Sequence, residues 1–273
     1  MSDIEILRTI VTQFPFALIG SVFAGLLCGY LSVYVVSKRV VFVGATLTQV
    51  AVTGIAVAHL LFPHESTDVV SLALTLFAVV ILAQLLRSHD ISRDSVLGVS
   101  YVVAIALRIL VIQKSPASEV SEIEAILKGD LLFITQHQLS LLIATAAVLL
   151  FIHLLFQKEF IFVSFDSETA TTQGFKAGRW EMLFYATIGI AISVATRIVG
   201  DVFVFGFLVI PAVTATLLAR KVRSIFWLST LVGALPPIIG LYLAFKLDLP
   251  AGPTAVATAS AMLAVSWIIK RFK

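Results

Sequence analysis

The segment at residues 164–174, SFDSETATTQG, is the longest clearly polar stretch in the second half of an otherwise apolar chain. Apolar runs at residues 139–156 and 182–196 flank it, and a polar segment of this kind can hardly face lipid. Asp166 can accept hydrogen bonds from the first free N–H groups of a helix, Glu168 suits the positive end of the helix dipole, and Gly174 is a typical stop. The segment therefore predicts a short, capped helix between two membrane spans.

Basic residues surround this predicted helix, namely Lys158, Lys176 and Arg179. By the positive-inside rule they place it on the cytoplasmic side of the membrane. A small ordered helix in that position suits docking of a soluble partner, and a well-capped surface connector has the same composition. The residues alone leave both interpretations open.

The composition places the chain among polytopic membrane proteins. Its 273 residues are 59% hydrophobic and 13% charged, with a mean hydropathy of +1.05, whereas a soluble domain of this size carries far more surface charge. The net charge of +3 comes from short basic clusters between apolar runs, which indicates membrane orientation rather than a nucleic-acid surface. Cys28 is the sole cysteine, so an internal disulfide and a CxxC site are excluded.

A membrane-spanning helix needs roughly 20 apolar residues. By this criterion the sequence contains about nine candidate transmembrane helices. They cover residues 14–36, 41–62, 69–86, 96–112, 139–156, 182–196, 202–218, 225–245 and 254–269. Several are short, and the pair on either side of Gly200 can form one broken unit. The prediction is an all-α membrane protein with eight to nine transmembrane helices in a single domain over residues 1–273. Pro211 follows Gly206 within one run, which predicts a kink.

The number of membrane crossings and the distribution of basic residues indicate the same orientation of the chain in the membrane. With nine crossings and Lys38 and Arg39 inside, thirteen of the nineteen lysines and arginines fall on the same side, and the opposite side is mostly acidic. The positive-inside rule then places the N-terminus outside and the C-terminus in the cytoplasm. The longest outer connection, at residues 114–138, can hold a short interfacial helix or a solvated loop.

Motifs of enzymatic chemistry are missing from the sequence. There is no G-x-x-x-x-G-K-[ST], no H-E-x-x-H, and no Ser/His/Asp set that cytoplasmic loops can assemble. We therefore expect no catalytic residues and no cofactor in this chain.

Polar side chains inside spans are costly and tend to face a protein interior or a water-filled path. Thr46, Gln49 and Thr53 lie at spacings of three and four, so they share one face of the second span. They are candidates for lining a pathway, and hydrogen bonding between packed helices explains them equally well. His153 is isolated in apolar surroundings, which favours a hydrogen-bonded polar residue over a metal ligand.

Several segments together resemble the membrane permeases of ATP-binding-cassette (ABC) importers for zinc, manganese and iron. KRVVFVGATLTQVAVTGIAVAHLL, residues 38–61, is similar to that family's basic turn and second span, and DSVLG, residues 94–98, to its Asp-x-x-x-Gly segment. Residues 165–174 resemble its FDxExAxxxG motif. Residues 199–220, with LPAGPT at 249–254, resemble VVG…LLIIPAATARLLAR and DLPTGPT. The likeness covers nearly the full chain in the right order.

The resemblance implies an importer-type ABC permease in the inner (plasma) membrane. Its partners would be a second copy of this chain, cytoplasmic ATPase subunits that bind ATP and Mg, and an extracytoplasmic substrate-binding protein. Residues 164–176 would form the coupling helix that fits a cleft of the ATPase, with Asp166, Glu168, Ala170 and Gly174 matching the motif. The default substrate would be a divalent transition metal, moved by alternating access.

The second span departs from the family's GDALSHA pattern, in which an Asp and, four residues later, a His project into the path. Ala45 and Gln49 occupy those positions here. No metal-binding residue is therefore expected in this chain, because a neutral stripe is a poor zinc site. Two alternatives stay open: the same machinery carrying a chelated metal or another small polar solute, and a stand-alone channel or secondary transporter.

Overall fold

Lipid offers no water to hydrogen-bond the backbone, so apolar segments of this length form helices that satisfy their N–H and C=O groups internally. The structure, a computed structural model, describes residues 3–61, 67–86, 91–115, 120, 131, 134–165 and 167–272, without the side chains of residues 67, 68, 167 and 168. Within these residues the all-α prediction is confirmed. The thirteen helices there are α1 (Asp3–Gln13), α2 (Pro15–Ser37), α3 (Val41–Leu61), α4 (Thr67–Leu85), α5 (Arg93–Lys114), α6 (Gln136–Leu155), α7 (Gln157–Phe165), α8 (Ser167–Thr172), α9 (Ala177–Val199), α10 (Asp201–Phe207), α11 (Ile210–Leu218), α12 (Val222–Leu247) and α13 (Ala251–Arg271).

Eight stretches of the described chain are long and apolar enough to cross a membrane. They are α2, α3, α5, α6, α9, the pair α10 and α11 taken together, α12 and α13. The apolar part of α4, Val69–Leu85, is shorter. The predicted eight to nine transmembrane helices are thus confirmed, while the outer connection at residues 114–138 lies largely outside the described residues.

The bounds of two helices differ from those predicted from the apolar runs, because these helices contain polar residues near their ends. Helix α9 begins at Ala177, about one turn before the run at 182–196, and its first turns contain Arg179 and Glu181. Helix α7 occupies residues expected to form a connector, since Lys158 and Glu159 interrupt the apolar pattern there. A count of apolar residues misses such turns at the membrane boundary.

Glycine and proline set the breaks around the sixth and seventh spans. Gly200, at φ +86°, separates α9 from α10. Helix α10 ends at Phe207 and α11 begins at Ile210, with Pro211 in its first turn. Proline has no N–H to continue the helical ladder, so the predicted kink is confirmed as a full break.

One compact unit of the chain comprises residues 1–36, 124–146 and 195–273. In it, α2 and α12 approach so closely that a Cβ atom at Gly25 or Gly233 would overlap the other glycine's carbonyl oxygen. The Ser229 hydroxyl donates to the Gly29 carbonyl at 2.6 Å and lies 2.9 Å from the Ser32 hydroxyl. Small residues and interhelical hydrogen bonds of this kind are typical of packing within membranes.

The other unit comprises residues 37–123 and 147–194, and α3 packs against α4 and α5 within it. Gly54 of α3 permits the approach of α4, because a Cβ there would lie 2.6 Å from the Ser71 Cα. The Ser71 hydroxyl donates to the Ala51 carbonyl at 2.8 Å. These contacts hold the helix that carries the predicted polar stripe. The assignment of a single permease domain stays a prediction.

Candidate functional site

Helix α8 ends in a hydrogen-bonding pattern that favours glycine. The Phe175 N–H donates to the Ala170 carbonyl and the Gly174 N–H to the Thr171 carbonyl, both at 3.0 Å, which is the Schellman pattern. Gly174 has φ +85°, a left-handed conformation that glycine adopts without strain. The predicted stop at Gly174 is confirmed, although the helix covers Ser167–Thr172 rather than all of residues 164–176.

One side of residues 164–176, here named the α8 segment, is fixed by a small apolar core. Ala170 is fully buried and clusters with Val163 of α7 and Ala177 of α9, and Phe162 and Trp180 pack against this cluster. Phe162 also meets Phe175 edge to face, with ring centroids 5.4 Å apart. Edge-to-face aromatic pairs add to the stabilisation from apolar burial, so the turn after α8 is held against α7.

The other side of the segment is open to a partner. Residues 171–176 are exposed. Two open grooves, of about 490 and 570 Å³, lie beside the turn, and Phe175, Lys176 and Arg179 border both of them. The segment therefore presents a grooved surface, bordered by Lys176 and the following Arg179, on a fixed apolar base.

A buried ammonium group joins three elements near this segment. Lys38, between α2 and α3, has its Nζ 3.2 Å from Glu181 Oε1 of α9, and it donates to the Val163 carbonyl of α7, also at 3.2 Å. The two side chains are only 6% and 16% exposed. Burial lowers the pKa of Lys38, and the neighbouring Glu181 carboxylate opposes that shift. The sequence marked Lys38 as a sign of orientation and as part of the family-like basic turn, without a partner. Glu181 had one local signal, an acid near the start of an apolar helix.

The structure places only part of the predicted coupling set. Ala170 and Gly174 lie in the α8 segment as described above. Asp166 lies outside the described residues, and Glu168 has its backbone in α8 but its side chain outside them. Coupling roles for all four residues stay predictions.

The polar stripe lies on α3. This helix is continuous over Val41–Leu61, so Thr46, Gln49 and Thr53 share one face, and all three are buried together with Ala45. The Thr53 hydroxyl donates to the Gln49 carbonyl at 2.8 Å. Within the described part of the chain, the Thr46 hydroxyl is buried and makes no hydrogen bond. The stripe is thus a buried set of neutral oxygens, and its facing a path stays a prediction.

His153 has the polar contacts expected of a residue inside a helical core. Its Nε2 lies 2.9 Å from the Thr187 hydroxyl, and its ring stacks on Phe160 with centroids 4.4 Å apart. The Thr187 hydroxyl donates onward to the Phe184 carbonyl at 2.8 Å, which leaves its oxygen to accept from the imidazole. The expected hydrogen-bonded histidine is confirmed.

Metal-ligating side chains do not converge in the described part of the chain: no group of three or more His, Cys, Asp or Glu residues there could hold a metal ion. A resident zinc site needs such convergence. What the described residues offer is an exposed, grooved surface around α8 and a neutral polar stripe on α3.

Comparison with known proteins identifies the family. The profile described as the ABC 3 transport family matches residues 12–270. The manganese import system permease protein ScaB of Streptococcus gordonii is 23% identical, covering 93% of this chain and 90% of its own. The zinc transport system membrane protein TroC of Treponema pallidum is 27% identical, covering 91% and 86%. The solved structure of PsaBC from Streptococcus pneumoniae in complex with Fab has the same fold, with a TM-score of 0.85 at 22% identity over 97% of this chain and 95% of that one. With nearly its whole length matched by one family profile, this chain belongs to the ABC 3 transport family.

Proposed function

We propose that this chain is the membrane permease subunit of an ATP-driven importer for a divalent transition metal. Its family supports the transport role, and the relatives named for manganese and zinc support the cargo. The observation that carries the proposal is the α8 segment. A polar helix that is exposed on one side and packed against the protein on the other is a suitable binding site for a soluble ATPase. The sequence has no P-loop of its own, so the ATPase has to be a separate subunit.

The proposed mechanism is alternating access. ATP and Mg bind to the partner ATPase subunits, whose closure displaces the α8 segment and tilts the spans, so that an outward-open path becomes inward-open. Moving a two-state equilibrium from 1:99 to 99:1 takes about 5.5 kcal/mol of differential binding. The ATPases supply this free energy by binding one state of the segment more tightly than the other.

The same proposal includes the remaining partners and the topology. An extracytoplasmic binding protein delivers the substrate, and two copies of this chain form the path. The permease lies in the inner (plasma) membrane with its N-terminus outside and its C-terminus in the cytoplasm, which requires that the shorter α4 crosses the membrane as a ninth span. The distribution of basic residues supports this orientation, because cytoplasmic connections carry the excess of lysine and arginine.

The α3 stripe narrows the choice of metal. Hydroxyl and amide oxygens are hard ligands, which suit manganese better than zinc, whereas zinc prefers imidazole and thiolate. Passage also requires binding that is weak enough to permit release. Thr46, Gln49 and Thr53 provide neutral oxygens that meet both conditions. Among the metals of the family, manganese therefore fits this stripe better than zinc.

A second candidate function is import of a chelated metal by the same machinery. It is favoured by one observation, the absence of an ionisable side chain at Ala45 and Gln49. A chelate brings its own ligands and needs only polar, neutral contacts from the path. Uptake assays with the free ion and with the chelate separate the two candidates.

The deciding experiment is uptake by the purified permease–ATPase complex in proteoliposomes, with binding protein and radiolabelled manganese or zinc outside and ATP in the ATPase compartment. ATP-dependent manganese uptake supports the proposal. Uptake of a chelate without uptake of either free ion selects the second candidate. Transport that proceeds without ATP and without a copurifying ATPase identifies a stand-alone carrier and contradicts both.

Two buried threonines of α3 provide a matched pair for the path assignment. Thr53 and Thr48 each donate a 2.8 Å hydrogen bond to a backbone carbonyl, but Thr48 lies on another face of the helix. Thr53→Ala is expected to change the KM for uptake, and Thr48→Ala is not. Ala45→Asp combined with Gln49→His should raise zinc affinity, because it introduces a carboxylate and an imidazole one turn apart. If all these variants transport like the wild type, the stripe does not line the path.

A further inference from the structure

We propose that Lys38 is a positioning residue that links the α8 segment to α3, so that displacement of the segment reaches the helix carrying the polar stripe. This inference rests on the proposed function, since it concerns how ATPase movement is transmitted. It assigns a role to an ion pair that the transport mechanism above does not use.

The geometry brings both ends of the α8 segment to one ammonium group. Val163 lies in the last turn of α7, just before the segment, and Glu181 lies in the first turns of α9, just after it. Lys38 Nζ donates to both at 3.2 Å and lies 5.6 Å from the centroid of the Phe184 ring. A single side chain from the α2–α3 connection therefore contacts the helices on either side of α8.

An ammonium group suits all three neighbours at once. A carbonyl oxygen is a hydrogen-bond acceptor, and the Val163 carbonyl accepts from the Lys38 ammonium group. The Glu181 carboxylate accepts a charge-assisted hydrogen bond, and the face of the Phe184 ring attracts positive charge. A hydrocarbon side chain of the same length would keep the packing and lose all three directional contacts.

The connection from Lys38 to α3 is short, and its residues have defined contacts. Only residues 38–40 separate α2 from α3. Arg39 takes a left-handed φ of +57°, Val40 is buried, and the Val43 N–H donates to the Val40 carbonyl at 2.9 Å. A pull on Lys38 is thus delivered to the first turn of α3, which continues without a break to Thr46, Gln49 and Thr53.

Stability is a weaker explanation for this ion pair. Burying two charges carries a desolvation cost that their attraction often fails to exceed, and apolar pairs of similar volume are frequently as stable. The lowered pKa of Lys38 reflects that cost. A directional link between moving parts, by contrast, needs the hydrogen-bond geometry that an apolar pair cannot provide.

The test measures metal ions imported per ATP hydrolysed by the permease–ATPase complex in proteoliposomes. The test variant is Lys38→Met with Glu181→Gln, which removes the charges together and leaves no lone buried ion. The control is Lys246→Met with Asp3→Asn, which neutralises an exposed 2.9 Å ion pair between α12 and α1. The Lys38 variant should still bind the ATPase and hydrolyse ATP, with transport per ATP lowered by about 5-fold or more, the lower end of typical coupling between sites. The control should keep the wild-type ratio.

Three outcomes are decisive. A wild-type ratio in the Lys38 variant overturns the link. Loss of ATPase binding in that variant also overturns it, because Lys38 would then only support the fold of the docking surface. Absence of ATP-driven uptake in the wild-type complex overturns the proposed function itself, which separates the two failures. If the double variant does not fold, Glu181→Gln alone, which keeps an oxygen acceptor for Lys38, should lower the ratio to a smaller extent, and an unchanged ratio overturns the link.

Discussion

Replacing Gly174 with alanine tests whether the turn after α8 has to hold its left-handed conformation. Gly174 has φ +85°, and a Cβ atom added there would meet nothing within 4 Å. The substitution therefore adds no steric overlap with neighbouring residues, and its cost comes from the backbone alone. A left-handed conformation costs a non-glycine residue roughly 1–2 kcal/mol.

Gly98 provides the matched control. A Cβ at Gly98 also meets nothing within 4 Å, but this residue lies inside α5 with ordinary helical geometry. Alanine is better than glycine in a helix interior by roughly 0.5–1 kcal/mol. Gly174→Ala should thus destabilise its segment while Gly98→Ala is neutral or stabilising, although both changes add one methyl group in open space.

Two assays on the permease in nanodiscs measure the effect of these substitutions on the α8 segment. Limited proteolysis of the α8 segment reports its local opening when opening is fast relative to cleavage, and ATPase binding reports the docking-competent conformation. A cost of 1–2 kcal/mol corresponds to a change of about 5- to 30-fold in a population. Gly174→Ala should raise the cleavage rate and weaken ATPase binding within that range. Equal cleavage and binding in the two variants would refute the role assigned to the turn.

Three further substitutions probe other contacts. Ala170→Leu overfills the core beneath α8 and should cost about 1–3 kcal/mol locally, seen as loss of copurifying ATPase; full retention would mean that the core yields easily. Gly233→Ala places a methyl group against the Gly25 carbonyl and should lower the thermal stability of the purified permease, and an unchanged melting temperature would contradict the close approach of α2 and α12. Thr187→Val removes the acceptor of the His153 imidazole and should cost about 1–3 kcal/mol, the typical penalty for a buried unsatisfied donor; thermal unfolding at the same detergent concentration measures it, and no loss would show that the bond contributes nothing.

The helices were predictable because lipid admits few alternatives. An apolar run of about 20 residues in a bilayer has to satisfy its own backbone, so the spans follow from composition. The helix stop at Gly174 and the break at Pro211 were equally predictable, since glycine allows a left-handed turn and proline removes a backbone donor. These features depend on local sequence alone.

Contacts between distant residues carried no such local signal. Lys38 and Glu181 are 143 residues apart, and each alone looks like a charged residue at a membrane boundary. Helix α7 was missed because Lys158 and Glu159 suggest a solvated connector, yet Phe160 and Val163 on the same turns are buried. Burial of that kind depends on α9 folding back against α7, which no local pattern specifies.

The most direct test of the proposed mechanism is a site-specific cross-link between the α8 segment and the ATPase. Thr172 is exposed at the end of α8, and the buried Cys28 is the sole native cysteine, so Thr172→Cys gives one accessible thiol. A crosslinker on this thiol should capture the ATPase in intact membranes, because the proposed mechanism seats the segment in a cleft of the ATPase. Labelling of Thr172→Cys only from the extracytoplasmic side, or failure to capture the ATPase from membranes in which metal uptake is ATP-driven, would contradict a permease driven through this helix.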